Sequence, residues 1–403
     1  MSAEMISPAE ADALLASLPR TPDVTLPLSR CAGRVLRKDV AADRAQPPFD
    51  RVAMDGIAFA FADWERGARR FRVEGTQKAG EKPRKPAGAG GCLKAMTGAV
   101  MPAGADCIAP VEDVRFEGAE AALRDGFEAA PWRFVHRAGS DCAAGDILVP
   151  AGTVLEAPHL GAAASCGLKD LRVAETPAVA VIATGDELVD PGRAPLPHQI
   201  RRSNPSAIEA ALRKRRIERV ASLHCRDDLD RLKAAAEAAL ARCQVLILTG
   251  GVSMGDTDHV PAALRELGVR PVFHKIRQKP GKPFWFGLAP GDRPVFGLPG
   301  NPASVLVCLH RYLLPALSRA MGAEARAYAP LPCAAKEGIP APGRLTQFVP
   351  ARFSWDDSGR LCAEGVPNRG SGDFTAWGRA QGFVEVPAED SAAAGPGLRA
   401  WLW

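Results

Sequence analysis

What the chain lacks narrows it first. No stretch approaches the roughly eighteen consecutive apolar residues that a membrane-spanning helix needs, so no membrane span is expected. The first residues, Met1 to Leu18, have neither a basic start nor an apolar run and carry Glu4, Glu10 and Asp12, which argues against a secretory signal peptide. None of the 10 cysteines forms a Cys-x-x-Cys pair or stands at a Cys/His metal spacing. Disulfide frameworks belong to small secreted domains, so these are read as reduced, mostly buried thiols of a cytoplasmic protein. Charge of one sign is also scarce. Lys plus Arg is 51 against 46 for Asp plus Glu, and a formal +5 is too mild to argue for a nucleic-acid partner. The densest basic run, Arg213-Lys214-Arg215-Arg216, is read as a solvated helix end. No G-x-G-x-x-G opens a helix, which excludes a dinucleotide-dependent oxidoreductase, and no internal repeat is visible.

What is present is an ordinary globular composition, 47% hydrophobic and 24% charged, over 403 residues. That length exceeds what one hydrophobic core usually serves, so several domains are expected. Texture divides the chain into residues 1–45 with 139–174 as a mixed linker domain, 46–138 as a β-rich inserted domain, 175–325 as an α/β domain, and 326–403 as a C-terminal β domain without a strong helix. A helix is expected after Ser7-Pro8, where serine caps and proline fits the first helical position. The stretch from Gly75 to Gly91, loaded with Gly, Pro and Lys, reads as a surface loop.

The third region has the clearest pattern. Val179-Ala180-Val181-Ile182-Ala183 and Val245-Leu246-Ile247-Leu248 are continuous apolar runs, as strands buried on both faces require. Helical spacing of Leu229, Leu232, Ala236 and Leu240 lies between them. Helices are also expected at 205–216, at 260–267 and from Ala303, with further apolar pieces at 271–276, 283–288 and 294–298. Strands alternating with helices predict a mostly parallel α/β sheet.

In such a sheet ligands bind beyond the carboxyl ends of the strands. Three apolar strands run into Gly-rich loops at that end: Ala183-Thr184-Gly185-Asp186-Glu187, Thr249-Gly250-Gly251-Val252-Ser253, and Leu298-Pro299-Gly300-Asn301-Pro302. Glycine lets backbone approach an anion closely, and a following helix N-terminus offers free N–H groups. One such loop would only close a turn; three converging on one edge favour binding. Charge of both signs accompanies them. Asp186, Glu187, Asp256 and Asp258 could hold Mg²⁺ together with substrate phosphates, although a lone carboxylate there more often caps a helix. Lys275, Lys279 and Lys282 follow, the last two flanking Pro280-Gly281, and suit an oxyanion. These residues alone imply a phosphorylated or oxyanionic substrate with a divalent cation. On generic grounds Asp55-Gly56 is a hairpin-turn signal.

Gly33-Arg34-Val35-Leu36, PPFD and AMDG at 47–56, Met96-Thr97-Gly98 with Pro102-Ala103-Gly104-Ala105-Asp106, and the segments 183–188, 249–255, 279–283 and 297–304 follow one another in a family's order. In these residues the chain resembles the molybdopterin molybdenumtransferases, the family of bacterial MoeA and the gephyrin E domain. The resemblance implies an elongated four-domain subunit whose central α/β domain binds molybdopterin. It implies insertion of molybdate into adenylylated molybdopterin with Mg²⁺-dependent release of AMP. It also implies a homodimer in which the second region of one subunit faces the α/β domain of the other, with the adenylyltransferase and other cofactor-assembly proteins as partners.

Carried over by motif, Asp55, Asp141, Glu187, Asp227, Asp258, Lys275 and Lys279 are the implied catalytic residues. Thr97, Gly250, Gly251, Ser253, Pro280, Gly281, Lys282, Gly300, Asn301, Pro302, Ser304 and Ser371 are the implied ligand-binding set, with Ser253, Lys279, Lys282 and Ser371 on molybdate. Asp186, Glu187, Asp256 and Asp258 are the implied metal ligands. The chain departs from the family where Arg51-Val52 replaces Asn-Ser before AMDG and Ile57 replaces the tyrosine after it. A cation at Arg51 could pair with Asp55 or contact a phosphate. Gln347-Phe348-Val349-Pro350 stands where a fourth-domain arginine is usual, leaving Arg344 or Arg352 for that role. Rival readings are a molybdopterin adenylyltransferase, which shares the α/β core, and a non-catalytic pterin-binding scaffold.

Overall fold

The structure, a computed structural model, describes residues 5–252, 259–389 and 397–403. The expected site residues Ser253, Asp256 and Asp258 lie outside the described residues. The chain folds as two compact units, one of Met1–Lys38, Ala151–Leu160 and Asp170–Trp403, the other of Asp39–Pro150 and Gly161–Lys169.

The larger unit is organised by a six-stranded sheet in the order Val220–Cys225, Val179–Thr184, Val245–Thr249, Arg293–Leu298, Trp285–Ala289, Arg270–His274. The first four strands are parallel and the last two are added antiparallel. The apolar runs become strands because both faces are covered. Val179, Val181, Val245, Ile247 and Phe296 point into one core with Phe284, Phe286 and Tyr312. Ala180, Ile182, Leu246, Leu248 and Val295 point into the other, under Leu232, Ala236 and Leu264. This is the period-two alternation of a pleated strand with two dry faces. Helices Asn204–Lys214, Leu229–Leu240 and Val260–Glu266 fall where their spacing placed them. The closing helix runs from Pro302 to Cys308, loosens to a π-helical turn over Leu309–Leu313, and resumes at Leu314–Ala320.

Ser7 caps helix Pro8–Leu15 by accepting from the Glu10 amide, while the Glu10 carboxylate accepts from the Ser7 amide, closing a capping box. The C-terminal strands Leu331–Ala335, Thr346–Trp355, Leu361–Gly365, Gly382–Val386 and Leu398–Leu402 curl so that Thr346–Trp355 pairs with both Leu361–Gly365 and Gly382–Val386, closing a small barrel. One further strand joins it: Gln278–Lys279 pairs in parallel with Thr346 and Gln347. This region also carries a short helix, Phe374–Arg379, capped by Asp373. Sequence texture did not register it, because six residues are too few for a periodic pattern.

The smaller unit holds a second six-stranded sheet, ordered Cys107–Pro110, Gly56–Phe59, Gly91–Ala95, Arg70–Gln77, Glu120–Leu123, Val114–Glu117. Gly75 to Gln77 belong to a strand rather than to the expected loop, which begins only at Lys78. Asp55-Gly56 is not a hairpin turn either. Arg51–Val52 pairs with Val135–His136, whereas Gly56–Phe59 lies between Gly91–Ala95 and Cys107–Pro110. A Cβ on Gly56 would fall 1.9 Å from the Ala109 carbonyl oxygen, so glycine there serves close strand approach, not a turn.

The basic run is only half solvated. Arg213 and Lys214 are exposed, but Arg215 and Arg216 are half-buried, and the Arg216 stem lies 2.8 Å from where a Cβ on Gly33 would stand. The described cysteines are all free and most are buried. Among the described residues no helix is long and apolar enough to cross a membrane.

Candidate functional site

The three Gly-rich loops at the carboxyl ends of the parallel strands open on one cavity of about 410 Å³. It is lined by Glu187, Asp227, Gly250, Gly251, Gly300, Asn301 and Pro302 among the expected residues, and also by Thr184, Arg201, Arg202 and Asn204. The backbone explains the glycines. Gly250 has φ +95°, and a Cβ on it would lie 2.6 Å from the Thr184 carbonyl oxygen, so only glycine lets the second loop fold over the first strand. Asn204 ties two loops together: its amide N–H₂ donates to Thr249 Oγ1 at 3.0 Å and to the Gly300 carbonyl at 2.8 Å. Thr249, fully buried, donates to the Pro299 carbonyl at 3.1 Å. The Glu187 carboxylate turns back over its own loop, within 2.6 Å of where a Cβ on Gly185 would stand. Asp227 lines the cavity, while its neighbour Asp228 is used in capping helix Leu229–Leu240 through the Arg231 amide. Asp186 is exposed and does not line the cavity.

A second cavity of about 500 Å³ adjoins the first, sharing Pro283, Pro299 and Asn301 with it. Lys279, Pro280, Gly281, Lys282, Ser304 and Ser371 all line it. Asn301 Nδ2 donates to Ser371 Oγ at 2.9 Å, and the Ala303 amide donates to the Ser371 carbonyl at 3.2 Å, which pins the serine beside the start of the closing helix. Gly281 has φ +88°, and a Cβ there would meet Gln278 Nε2 at 2.7 Å and Cys308 Sγ at 2.9 Å. The peptide before Pro280 is cis. Both lysines are exposed and the serine hydroxyls are at hand, a set of N–H and O–H donors suited to an oxyanion.

Lys275 lines neither cavity. It is half-buried at φ +79°, an unusual conformation for a residue with a Cβ, and its amide donates to the Phe284 carbonyl at 3.0 Å. Neither Arg344 nor Arg352 reaches the second cavity; Arg352 donates to the Arg379 carbonyl instead. Gln347 occupies the wall where a fourth-domain cation was expected, because its strand pairs with Gln278–Lys279. Sequence reasoning missed the lining residues Arg201, Arg202, Asn204 and Asn368, and met Thr184 and Gln347 only inside longer segments without assigning them to the site. The only local signal was the run Arg201-Arg202-Ser203-Asn204 just before a helix, a polar stretch that reads equally well as a cap.

In the smaller unit Asp55 and Thr97 meet. Asp55 Oδ1 accepts from the Thr97 amide at 2.6 Å and from its hydroxyl at 2.7 Å. Those two bonds, the hydroxyl first, hold the carboxyl below the ordinary carboxylate range and keep it charged. Asp141 accepts from His136 Nε2 at 2.6 Å, and His136 Nδ1 faces the Arg51 guanidinium at 2.9 Å. A guanidinium only donates, so Nδ1 accepts and Nε2 carries the proton given to Asp141. Arg51 is therefore spent on His136 rather than on Asp55. Among the described residues no group of three or more His, Cys, Asp or Glu is placed to hold a metal.

Strand-end glycine loops beside two joined cavities, one with carboxylates and one with lysines and hydroxyls, are the arrangement of a protein suited to phosphorylated and oxyanionic ligands. Comparison with known proteins narrows this. Family models match for the MoeA N-terminal region (domain I and II) over residues 6–167, a probable molybdopterin binding domain over 180–319, and the MoeA C-terminal region (domain IV) over 333–403. A molybdopterin molybdenumtransferase from Synechocystis sp. is 35% identical over 390 residues, 96% of this chain and 97% of that protein. One from Bacillus subtilis is 30% identical over 370 residues, 88% of this chain and 83% of its own length. The crystal structure of a molybdopterin biosynthesis MoeA protein from Pyrococcus horikosii superposes with a TM-score of 0.79 at 29% identity, covering 99% of both chains. The chain belongs to the MoeA family of molybdopterin molybdenumtransferases.

Proposed function

We propose that the chain is a transferase that inserts molybdate into adenylylated molybdopterin, releasing AMP and leaving the molybdenum cofactor. The observation that carries this reading is the pair of cavities joined at Asn301, Pro299 and Pro283. One is suited to a phosphorylated pterin and the other to a small dianion. Lys279 and Lys282, with the Ser304 and Ser371 hydroxyls, would hold molybdate and stabilise negative charge as an oxygen leaves it. The Gly250-Gly251 and Gly300 backbone would cradle the phosphoanhydride, and Glu187 and Asp227 would face it. Lys275, Asp141 and the undescribed Ser253 and Asp258 stay in the proposed site on family grounds.

The carboxylate oxygens of this cavity fit a magnesium ion, which is usually held by one or two carboxylates together with substrate phosphates. Glu187 lies in the cavity and Asp186 beside it in the loop, with Asp256 and Asp258 as further proposed ligands. When bound, such an ion offsets charge on the phosphoanhydride during its hydrolysis.

We further propose a cytoplasmic homodimer, in which the Asp55–Thr97 pair of one protomer would serve the lysine loop of the other. It would receive its substrate from the adenylyltransferase, with no nucleic acid or membrane involved. The four-region division is also proposed; the family-model limits near 167, 180, 319 and 333 support its boundaries at 174/175 and 325/326. Purified protein incubated with molybdopterin and MgATP separates this reading from its rival. The expected result is no adenylylated product, and its accumulation would assign the chain to the adenylyltransferase step instead.

A further inference from the structure

Beneath the lysine loop lies a buried polar chain whose outer end, Gln278, lines the second cavity and whose inner end, Tyr312, lines neither. Gln278 is wholly buried. Its amide N–H₂ donates to the Pro280 carbonyl at 3.3 Å and to the Gly281 carbonyl at 3.2 Å, and its Oε1 accepts from the Tyr312 hydroxyl. The orientation of this amide is fixed by chemistry. Two carbonyls can only accept, so they must face Nε2, and the remaining phenol must then donate to Oε1. Burial pushes the Tyr312 phenol up, so it keeps its proton throughout the working range.

Tyr312 is itself held rigidly. It sits in the π-helical turn Leu309–Leu313, a widened turn that re-aims side chains and recurs at functional sites. Its ring packs 5.5 Å from Phe284, and the Arg311 guanidinium lies 4.7 Å above it. Arg311, buried, is fixed in turn by Asp12 at 2.7 and 2.8 Å and by Glu385 at 2.9 Å, while Trp401 Nε1 donates to the same Glu385 carboxylate at 2.9 Å. The anchoring therefore reaches the N-terminal helix and the C-terminal barrel.

We propose that Gln278 and Tyr312 are positioning residues of the oxyanion site, fixing the backbone between Lys279 and Lys282 so that both lysines face one cavity. The two lysines are three residues apart on a loop with a cis proline and a left-handed glycine. Nothing in their own side chains sets their spacing. Both carbonyls between them accept from the Gln278 amide, whose Oε1 is fixed by Tyr312; Cys308 adds only weak, long sulfur contacts, at 3.9 Å to Gln278 Nε2 and 3.7 Å to the Gly281 carbonyl. This inference rests on the proposed molybdate site.

The test is equilibrium binding of molybdate to the full-length protein, with adenylylated molybdopterin binding and thermal melting measured alongside. Tyr312→Phe keeps the ring packing and removes only the donor. It leaves Gln278 Oε1 buried and unpaired, and molybdate affinity is expected to fall about tenfold. Gln278→Leu should lose at least as much. Because Tyr312 acts through Gln278, the double variant should be no worse than Gln278→Leu alone. Adenylylated molybdopterin should bind each variant within about twofold of the wild type, a selectivity that general loosening of the fold would not give. Tyr312→Phe binding molybdate like the wild type, or the two single losses multiplying in the double variant, would overturn the proposal. Should Gln278→Leu fail to fold, Tyr312→Phe decides alone. Lys279→Ala separates the two levels. If it binds molybdate normally, the oxyanion site is wrong; if only it loses binding, the positioning role is wrong.

Discussion

Gly281→Ala should disable the oxyanion site far more than it destabilises the protein. The left-handed conformation at φ +88° costs an ordinary residue about 1–2 kcal/mol. The added methyl would also stand 2.7 Å from Gln278 Nε2 and 2.9 Å from Cys308 Sγ, closer than real Cβ contacts come. Relief requires Gln278 to release the Pro280 and Gly281 carbonyls, about 1 kcal/mol for each bond lost. The total is about 3 kcal/mol against the present loop conformation, roughly two orders of magnitude in its population. Gly291→Ala is the comparison that isolates the steric part. Gly291 has φ +79°, yet nothing lies within 4 Å of its missing Cβ, so only the conformational cost remains. Denaturant unfolding and molybdate titration of both variants form the assay. Gly281→Ala should lose about a hundredfold in molybdate affinity, whereas Gly291→Ala should lose about 1 kcal/mol of stability and bind molybdate normally. Equal effects of the two substitutions, or normal molybdate binding by Gly281→Ala, would refute the packing argument.

Thr97→Val removes the hydroxyl that contributes most to holding the Asp55 carboxyl low, so the acidic limb of the activity–pH profile should move to higher pH while activity near neutrality changes less; an unmoved acidic limb would count against Asp55 as the ionising group. His310, packed edge-on to Trp403 at 4.9 Å, is pushed down to about 3 by burial first and then by Arg215 and Lys214. Its neutral form is favoured by folding, so the stability it permits is full above the unfolded value near 6.5 and is lost as pH falls below it. Melting curves of His310→Gln should accordingly lose less stability than the wild type between pH 7 and pH 5, by about 2 kcal/mol at the lower end. For the dimer, Asp55→Asn and Lys279→Ala homodimers should each be inactive at molybdate concentrations that just saturate the wild type, and refolding them together should restore activity there through heterodimers with one intact site; mixtures that stay inactive would place both residues in one protomer's site.

Much of the fold was legible because its causes are local. Val179-Ala180-Val181-Ile182-Ala183 is short and rich in β-branched residues, which favours a doubly buried strand, and the helices around it carry their own periodicity. The glycine loops were legible for a similar reason: Gly250 and Gly281 answer constraints that act on backbone. What was hidden is held by partners distant in sequence. Asp55 looked like a turn residue because Thr97, which gives it two hydrogen bonds, is 42 positions away. Arg51 looked like a partner for Asp55, but strand pairing with Val135–His136 delivers it to His136. Asn204 was not singled out, because its partners Thr249 and Gly300 are 45 and 96 positions away. Gln278, an unremarked polar residue beside a lysine, can be buried because Tyr312 and the loop carbonyls, all met only in the folded chain, satisfy its amide.

The measurement that bears most directly on the central claim is AMP released in a single turnover from bound adenylylated molybdopterin as molybdate is titrated in the presence of Mg²⁺. Release should rise with molybdate to saturation, and Lys279→Ala should need far more molybdate while still holding the adenylylated substrate. AMP release indifferent to molybdate, or none at all from a protein with substrate bound, would contradict the account.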